Sequence, residues 1–353
     1  MRRLLLLTLT VALALACTGS ALAGYPWPVR PFDRQHPIRA NFGDPRTVFE
    51  LPLFEDGING PGAFSFHNGV DIAAPNGTTV YAVASGIAHL IDATAVSVEA
   101  LDGRTFQYYH VIPTVVDGEK VTTRISEIGD VQAPYGHVHL TEIDGTKATN
   151  PLLKDHLTPY TDRTRPTVAS VEIRDANGRL AEPLGLCGRI SVAAEASDRP
   201  SLPVSGTFGG LPVAPAVVTW KLQRVGGPVV VPETTAVDFR TTLPAPKDFW
   251  TVYARGSYQN APRFGVQQFG SMPGRFLFQL TPSLDTRTLP NGPYVLTVVA
   301  ADERGNAGDR TQRFWVFNQK TPTGCPLLSG PPEAAPAPAP PTTTEPPPAV
   351  QTP

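Results

Sequence analysis

Short β-branched stretches recur along most of the chain, and they constrain its fold more than any other feature. Thr105–Ile112 (TFQYYHVI) alternates polar and apolar residues after an Asp-Gly turn, and Gly136–Ile143 (GHVHLTEI) alternates in the same way. Such alternation is typical of strands with one buried face, and an Asp-Gly turn is typical of a hairpin. No segment before Pro151 shows a convincing long helical period. We therefore predict an all-β chain built from antiparallel sheets.

A second series of strand-like segments follows a polar, proline-containing stretch. Thr167–Gly178 ends in an Asn-Gly turn, and Leu289–Asn318 predicts two paired strands around a Gly-Asn turn. This pattern favours a β-sandwich, and the closing hairpin resembles that of bacterial immunoglobulin-like modules. Residues 224–288 are rich in aromatic residues and proline, and they allow no assignment beyond loops or extra strands.

The beginning of the chain predicts export. Met1–Arg3 is basic, residues 4–16 form an apolar run too short to span a bilayer, and Ala21–Ala23 supplies small residues for cleavage. These features are typical of a secretory signal peptide, so we expect an extracellular, periplasmic or wall-associated protein. The alternative is a lipoprotein anchored through Cys17, whose preceding residues vaguely resemble a lipoprotein box.

The end of the chain consists almost entirely of proline, alanine and threonine, which cannot bury enough surface to fold. Together these features predict five parts. They are a signal peptide (1–23), a first β domain (24–153), a linker (154–166), a β-sandwich (167–325) and a disordered tail (326–353).

Charge and cysteine usage bear on partners and cross-links. The formal net charge of −2 provides no polycation, so we expect no nucleic-acid partner. If Cys17 leaves with the signal peptide, Cys187 and Cys325 remain, and two cysteines in an exported chain suggest one disulfide. Two free thiols are the alternative.

Histidine placement predicts a metal site in the first domain. In a straight strand His67 and Asp71 would share a face but lie about 13 Å apart, so the chain must bend between them, and Gly69 permits a bend. His137 and His139 also share one strand face. Because zinc accepts imidazole nitrogen and carboxylate oxygen, two such strands side by side could hold one ion.

Three histidine motifs follow one another along the chain, namely His67-x-x-x-Asp71, Tyr109-His110 and His137-x-His139. In this order they resemble the motifs of the lysostaphin/LytM-type zinc metalloendopeptidases of bacterial cell walls. The resemblance covers about residues 36–153. The stretch before the last motif lacks most of the glycines usual in the family, and Tyr109 stands where a small residue is common. These departures concern groove walls and leave substrate choice open.

The resemblance implies that His67, Asp71 and His139 bind Zn²⁺, and that His110 and His137 flank the attacking water and the scissile carbonyl. It implies a secreted endopeptidase that hydrolyses peptide cross-links of peptidoglycan, with histidine as acid and base. Which histidine does which task stays open, and so does the bond that is cleaved. The alternative is a catalytically silent, zinc-bearing wall-binding protein or an activator of another wall hydrolase.

No comparable set of residues occurs in the second domain. Trp220, Trp250 and Trp315 could stack on sugars, and the alternative is that they belong to the core. We predict a spacer or a module that binds wall polymer.

Overall fold

The computed structural model describes residues 24–49, 62–260 and 273–318. Strands make up nearly all of its regular structure, and the one α-helix within these ranges is α1 (Phe249–Val252). The sequence prediction of an all-β chain is therefore confirmed. The expected signal peptide, the tail and Cys325 lie outside the described residues. No helix in the described ranges is long and apolar enough to cross a membrane.

The first part of the described chain forms thirteen short strands. They are β1 (Ile38–Ala40), β2 (Pro45–Phe49), β3 (Gly62–Phe66), β4 (Val70–Ala73), β5 (Thr79–Tyr81), β6 (Gly86–Asp92), β7 (Ala95–Ala100), β8 (Thr105–Tyr109), β9 (Val111–Pro113), β10 (Glu119–Val121), β11 (Glu127–Val131), β12 (His137–Asp144) and β13 (Lys147–Thr149). The main sheet has the order β1-β4-β12-β8-β7-β6-β10, with β13 beside β12. Two smaller sheets have the orders β5-β11-β9 and β2-β3. The strand that carries Asp71, β4, and the strand that carries His137 and His139, β12, are direct neighbours.

The alternation in the sequence explains how the main sheet builds its core. The predicted Asp-Gly turn at 102–103 does join β7 to β8, in which Phe106 and Tyr108 are fully buried. In β12, Val138 and Leu140 belong to the same core, so His137 and His139 occupy the opposite face. That second face of β12 is buried as well. His137 and His139 are therefore buried on the face of the main sheet that is opposite its apolar core.

Seven strands form a second unit. They are β14 (Thr167–Asp175), β15 (Arg189–Ser197), β16 (Val217–Arg224), β17 (Val229–Asp238), β18 (Leu277–Asp285), β19 (Gly292–Ala301) and β20 (Ala307–Val316). They make the sheets β14-β15-β18 and β17-β16-β19-β20, which bury their apolar residues in a common core. All strand pairs within the sheets of both units are antiparallel. A β-sandwich is thus present, whereas its relation to immunoglobulin-like modules stays a prediction.

Two sandwich strands, β17 and β18, lie in the region that the sequence left unassigned. In β17 Val237 is the one buried residue, and most of the remaining positions are exposed. It is an edge strand that pairs on one side with β16. An edge strand that buries so little apolar surface gives a weak alternation signal, which is why the pattern did not reveal it.

The two units share a cluster of aromatic side chains. The ring of Phe66, from the first unit, lies 5.7 Å from that of Phe239 and 5.4 Å from that of Phe249. The hydroxyl of Tyr253 donates to the carbonyl of Gly43 at 2.8 Å. The expected linker contains two large apolar side chains, Leu157 and Tyr160, and both are buried as well. The units therefore contact each other through packed side chains as well as through the chain that joins them.

The cysteine and tryptophan predictions have separate outcomes. Cys187 is disulfide-bonded, but Cys17 and Cys325 lie outside the described residues, so the Cys187–Cys325 pair stays a prediction. Trp220 is buried in the sandwich core, and half-buried Trp250 packs against that core. Trp315 is 45% exposed, so it alone of these three side chains presents a large surface to solvent.

Candidate metal centre

The strand register brings two of the expected ligands together. Asp71 on β4 and His139 on β12 are ladder partners, so their side chains stand opposite each other on one face. His67 reaches the same place from the break between the end of β3 and the start of β4. The bend that the spacing required between His67 and Asp71 is therefore present.

Gly69 lies in this bend, but its role differs from the conformational freedom that the sequence suggested. Its backbone does not have a positive φ. A Cβ atom at this position would lie 2.8 Å from the carbonyl carbon of Leu140 and 2.9 Å from Nε2 of His139. Close approach of the chain to β12 is what requires glycine here.

We expect Gly69→Ala to weaken metal binding by about 10–100-fold, the range for disturbing the support of a ligand. The added methyl group must displace the His139 ring or the Leu140 backbone. A competition titration against a chromophoric zinc chelator measures the effect. Gly185→Ala is the matched control, because a Cβ there meets open space and its φ is not positive. Equal affinity in both variants would contradict the role given to Gly69.

The three expected ligands present their donor atoms to one point. His67 Nε2 lies 2.7 Å from His139 Nδ1 and 3.0 Å from Asp71 Oδ1. His139 Nδ1 is also 3.0 Å from Asp71 Oδ1, and all three residues are buried. In a tetrahedral site with bonds of about 2.0–2.1 Å, zinc separates its ligands by roughly 3.3 Å. An opening of a few tenths of an ångström would suffice, so this donor set fits a metal ion.

Hydrogen bonds on the far side of the imidazoles orient them toward this point. His67 Nδ1 lies 2.8 Å from the carbonyl of Asn41, to which it donates, so Nε2 keeps its lone pair. His139 Nε2 lies 2.8 Å from the hydroxyl of Thr141. Metal-binding histidines usually have such a partner on the second nitrogen, and it fixes the ring orientation.

Two arginines bind the outer oxygen of Asp71. Its Oδ2 accepts from Nη2 of Arg39 at 3.2 Å and of Arg46 at 3.3 Å, while Oδ1 faces the histidines. Burial alone would raise the pKa of Asp71, but His67, His137 and Arg39 together hold it well below its usual value. The carboxylate is therefore ionised and oriented. The metal-site motifs did not identify either arginine as part of the site.

The other two expected site histidines lie beside the cluster. His137 Nδ1 donates to the carbonyl of Tyr135 at 2.8 Å, and its Nε2 accepts from Arg39 at 3.1 Å. That Nε2 is 3.7 Å from Asp71 Oδ1. The His110 ring centroid lies 4.6 Å from that of His137 and stacks on Tyr135 at 4.1 Å. All five predicted residues are thus in one place.

Both of these histidines are neutral near pH 7. Burial lowers the pKa of His137 to about 3, and it lowers the pKa of His110 to about 4. The backbone of His110 is unusual as well, because its φ of 61° lies in the left-handed region that non-glycine residues rarely adopt. Its carbonyl accepts from Gln132 N at 2.9 Å, which holds this conformation at the junction of β8 and β9. Such strained positions cluster at functional sites.

The second unit also reaches the site. Phe208 ends a short 3₁₀ helix (Gly206–Phe208) between β15 and β16, and its ring centroid lies 3.9 Å from the Arg39 guanidinium carbon. Its ring is 6.4 Å from that of His137, in an edge-to-face arrangement. A long separation in sequence and the absence of any motif explain why sequence analysis did not find this residue. Phe208 helps to hold Arg39 between Asp71 and His137.

Comparisons with known proteins find similarity to part of the chain only. No protein-family model matches the chain, and no curated protein matches it. Among solved structures, it is similar to one described as "Identification and structural characterization of LytU", with 20% sequence identity. The match covers 35% of this chain and 86% of that chain, with a TM-score of 0.24. A likeness at this level does not establish an activity.

Proposed function

We propose that the protein is an exported, zinc-dependent endopeptidase that hydrolyses peptide cross-links of bacterial peptidoglycan. The observation that carries the proposal is the convergence of His67, Asp71 and His139 on one point, next to neutral His110 and His137. The order of the three motifs along the chain supports the same class of enzyme. Nitrogen and carboxylate donors favour Zn²⁺ over Ca²⁺ or Mg²⁺.

Zn²⁺ at this site would act as a Lewis acid toward a peptide carbonyl and bring the pKa of a water toward 7. Three protein ligands leave a position open for water or substrate. His110 and His137 then have the protonation state of a base, since both are neutral near pH 7. Either imidazole can accept a proton and return it to the leaving amine.

The contact with Arg39 gives His137 the role of a hydrogen-bond acceptor rather than that of the main base. The guanidinium donates to His137 Nε2 and also binds Asp71, so it links one expected catalytic residue to one expected ligand. His110 is half-buried and stacks on Tyr135, so it is the more open of the two rings. We assign proton transfer chiefly to His110 on this basis.

The test is mass spectrometry of purified peptidoglycan after incubation with the mature protein, with and without 1,10-phenanthroline. New peptide termini are expected, and they should vanish when the chelator removes zinc. The termini also name the bond that is cleaved. Intact cross-links on several wall types, with zinc still bound, would contradict the enzyme and favour the silent activator.

We propose that the second unit supports the first and binds wall polymer. Trp315, 45% exposed on β20, is the tryptophan of this unit that can offer a ring face to a sugar. The supporting role rests on direct contacts with the first unit, which are made by Phe208 and by the shared aromatic cluster. A pull-down on insoluble peptidoglycan measures binding, and Trp315→Ala should reduce it if this side chain takes part.

A further inference from the structure

Three buried aspartates meet at the end of the sandwich nearest the first unit. Asp162 precedes β14, Asp198 follows β15, and Asp302 follows β19, so distant parts of the chain bring them together. One carboxylate oxygen of each lies within 4.8 Å of the others. Their exposed fractions are 7%, 2% and 2%. Three carboxylates have therefore been removed from water at one place.

The three aspartates form no ion pair with a basic side chain in the part of the chain that the structure describes. Burial raises the pKa of Asp198 to about 8, and the charges of Asp162 and Asp302 act in the same direction. Buried carboxylates are normally paired with a cation or coordinate a metal ion.

One oxygen of the cluster also lacks a hydrogen-bond partner. Asp198 Oδ1 accepts from the backbone N–H of Arg199 at 2.7 Å, whereas Oδ2 is buried and has no partner among the described residues. Buried acceptors in folded proteins are nearly always satisfied by protein, water or an ion. This oxygen belongs to a side chain that is 98% buried within a group of carboxylates, so it points to a bound cation.

The remaining contacts hold the other two carboxylates in place. Asp162 Oδ1 accepts from Thr164 N at 2.9 Å and from the Ser201 hydroxyl at 2.5 Å. Asp302 Oδ1 accepts from the backbone N–H groups of Arg304 and Asn306, both at 2.8 Å. Asp162 Oδ1 also accepts from the Thr164 hydroxyl at 2.5 Å, Asp162 Oδ2 accepts from the Tyr160 hydroxyl at 3.3 Å, and Asp302 Oδ2 accepts from Asn306 Nδ2 at 2.6 Å. These bonds orient the two carboxylates, and each Oδ2, with a single donor, keeps a lone pair for an ion.

We propose that Asp162, Asp198 and Asp302 bind Ca²⁺ and thereby fasten the segment that joins the two units to the sandwich. The donors are all carboxylate oxygens, which suits a hard cation, and three protein carboxylates in one place suit Ca²⁺ better than Mg²⁺, which usually keeps several waters and binds one or two carboxylates. The site is separate from the histidine cluster and uses none of its residues. The expected affinity is that of extracellular calcium modules, with a Kd of about 10⁻⁴–10⁻³ M.

The test is thermal unfolding of the full mature protein with zinc bound, after dialysis into calcium-free buffer. Addition of CaCl₂ to about 100 times the Kd should raise the Tm by about 5 °C, and MgCl₂ should raise it much less. Equilibrium dialysis should count one Ca²⁺ for each chain. Absence of both effects would overturn the proposal, and an equal response to Mg²⁺ would overturn the assignment to calcium.

Asp198→Asn distinguishes ion binding from a structural role of the carboxylate. The amide oxygen can still accept from Arg199 N, and the amide is neutral, as is the Asp198 carboxyl in calcium-free buffer near pH 7, where its pKa of about 8 keeps it mostly protonated. This variant should therefore lose the response to CaCl₂ while its Tm in calcium-free buffer is equal to or above that of the parent. Asp175→Asn is the control, because Asp175 also accepts backbone N–H groups but lies outside the cluster. Equal calcium responses in the parent and Asp198→Asn would refute the site.

The outcome is independent of the proposed peptidase. Calcium is removed here by dialysis alone, whereas 1,10-phenanthroline removes zinc in the test of hydrolysis. A protein that cleaves wall peptides but shows no calcium response refutes only the calcium site. A protein that binds calcium but leaves all cross-links intact refutes only the peptidase.

Discussion

His139→Ala is expected to abolish zinc binding and, with it, hydrolysis of wall peptides. His139 Nδ1 lies 2.7 Å from His67 Nε2 and 3.0 Å from Asp71 Oδ1, so its loss leaves two protein donors. Catalytic zinc sites use three protein ligands. Since disturbing only the support of a ligand costs up to about 100-fold in affinity, losing the ligand itself should cost more. Elemental analysis of the purified variant measures the zinc content.

His89→Ala is the matched control for this variant. His89 lies on β6 beside the exposed carboxylates of Glu99 and Asp117, away from the histidine cluster. It should keep one zinc and the parental rate. A His139→Ala protein that retains stoichiometric zinc and cleaves wall peptides would refute the assignment of His139. Circular dichroism of both variants shows whether the fold is intact.

The core of the site was predictable because strand geometry couples spacing to position. His137 and His139 had to share a face, and a bend between His67 and Asp71 was needed to bring both to one ion. The structure contains that bend and pairs His139 with Asp71 across neighbouring strands. The reason that residue 69 must be glycine was not predictable, because it depends on how closely the backbone at Gly69 approaches β12.

The supporting residues were not predictable from local pattern. Arg39 and Arg46 act through Asp71 Oδ2, and single arginines on short strands give no distinctive sequence signal. Phe208 comes from a turn in the other unit and reaches Arg39 only through the packing of the two units. Such contacts depend on tertiary structure, which residue spacing does not encode.

The contact between the units also supports a ligand. His67 Nδ1 donates to the carbonyl of Asn41, whose side chain donates to the carbonyl of Ala214 at 3.2 Å. Asp44, three residues on, accepts from Ala214 N at 2.6 Å. The second unit therefore holds the loop that orients His67. A role as a mere spacer does not account for these bonds.

His110→Asn is expected to retain zinc and to lower the rate of hydrolysis by about 10²–10⁴-fold, the usual contribution of a general acid or base. His110 is not among the three converging ligands, so the metal content should not change. Asparagine is the better replacement because it tolerates the left-handed backbone at φ 61°, whereas alanine would add strain. Rates on purified peptidoglycan and zinc content of the same sample check both parts.

His110→Ala separates loss of the imidazole from loss of backbone conformation. If proton transfer is the role of His110, both variants should lose rate by similar factors and keep zinc. A rate loss confined to the alanine variant would indicate that only the conformation between β8 and β9 matters. Parental rates in both would refute proton transfer by His110 and leave His137 as the remaining base. Only a working peptidase needs such a group, so this pair also distinguishes the enzyme from a silent zinc protein.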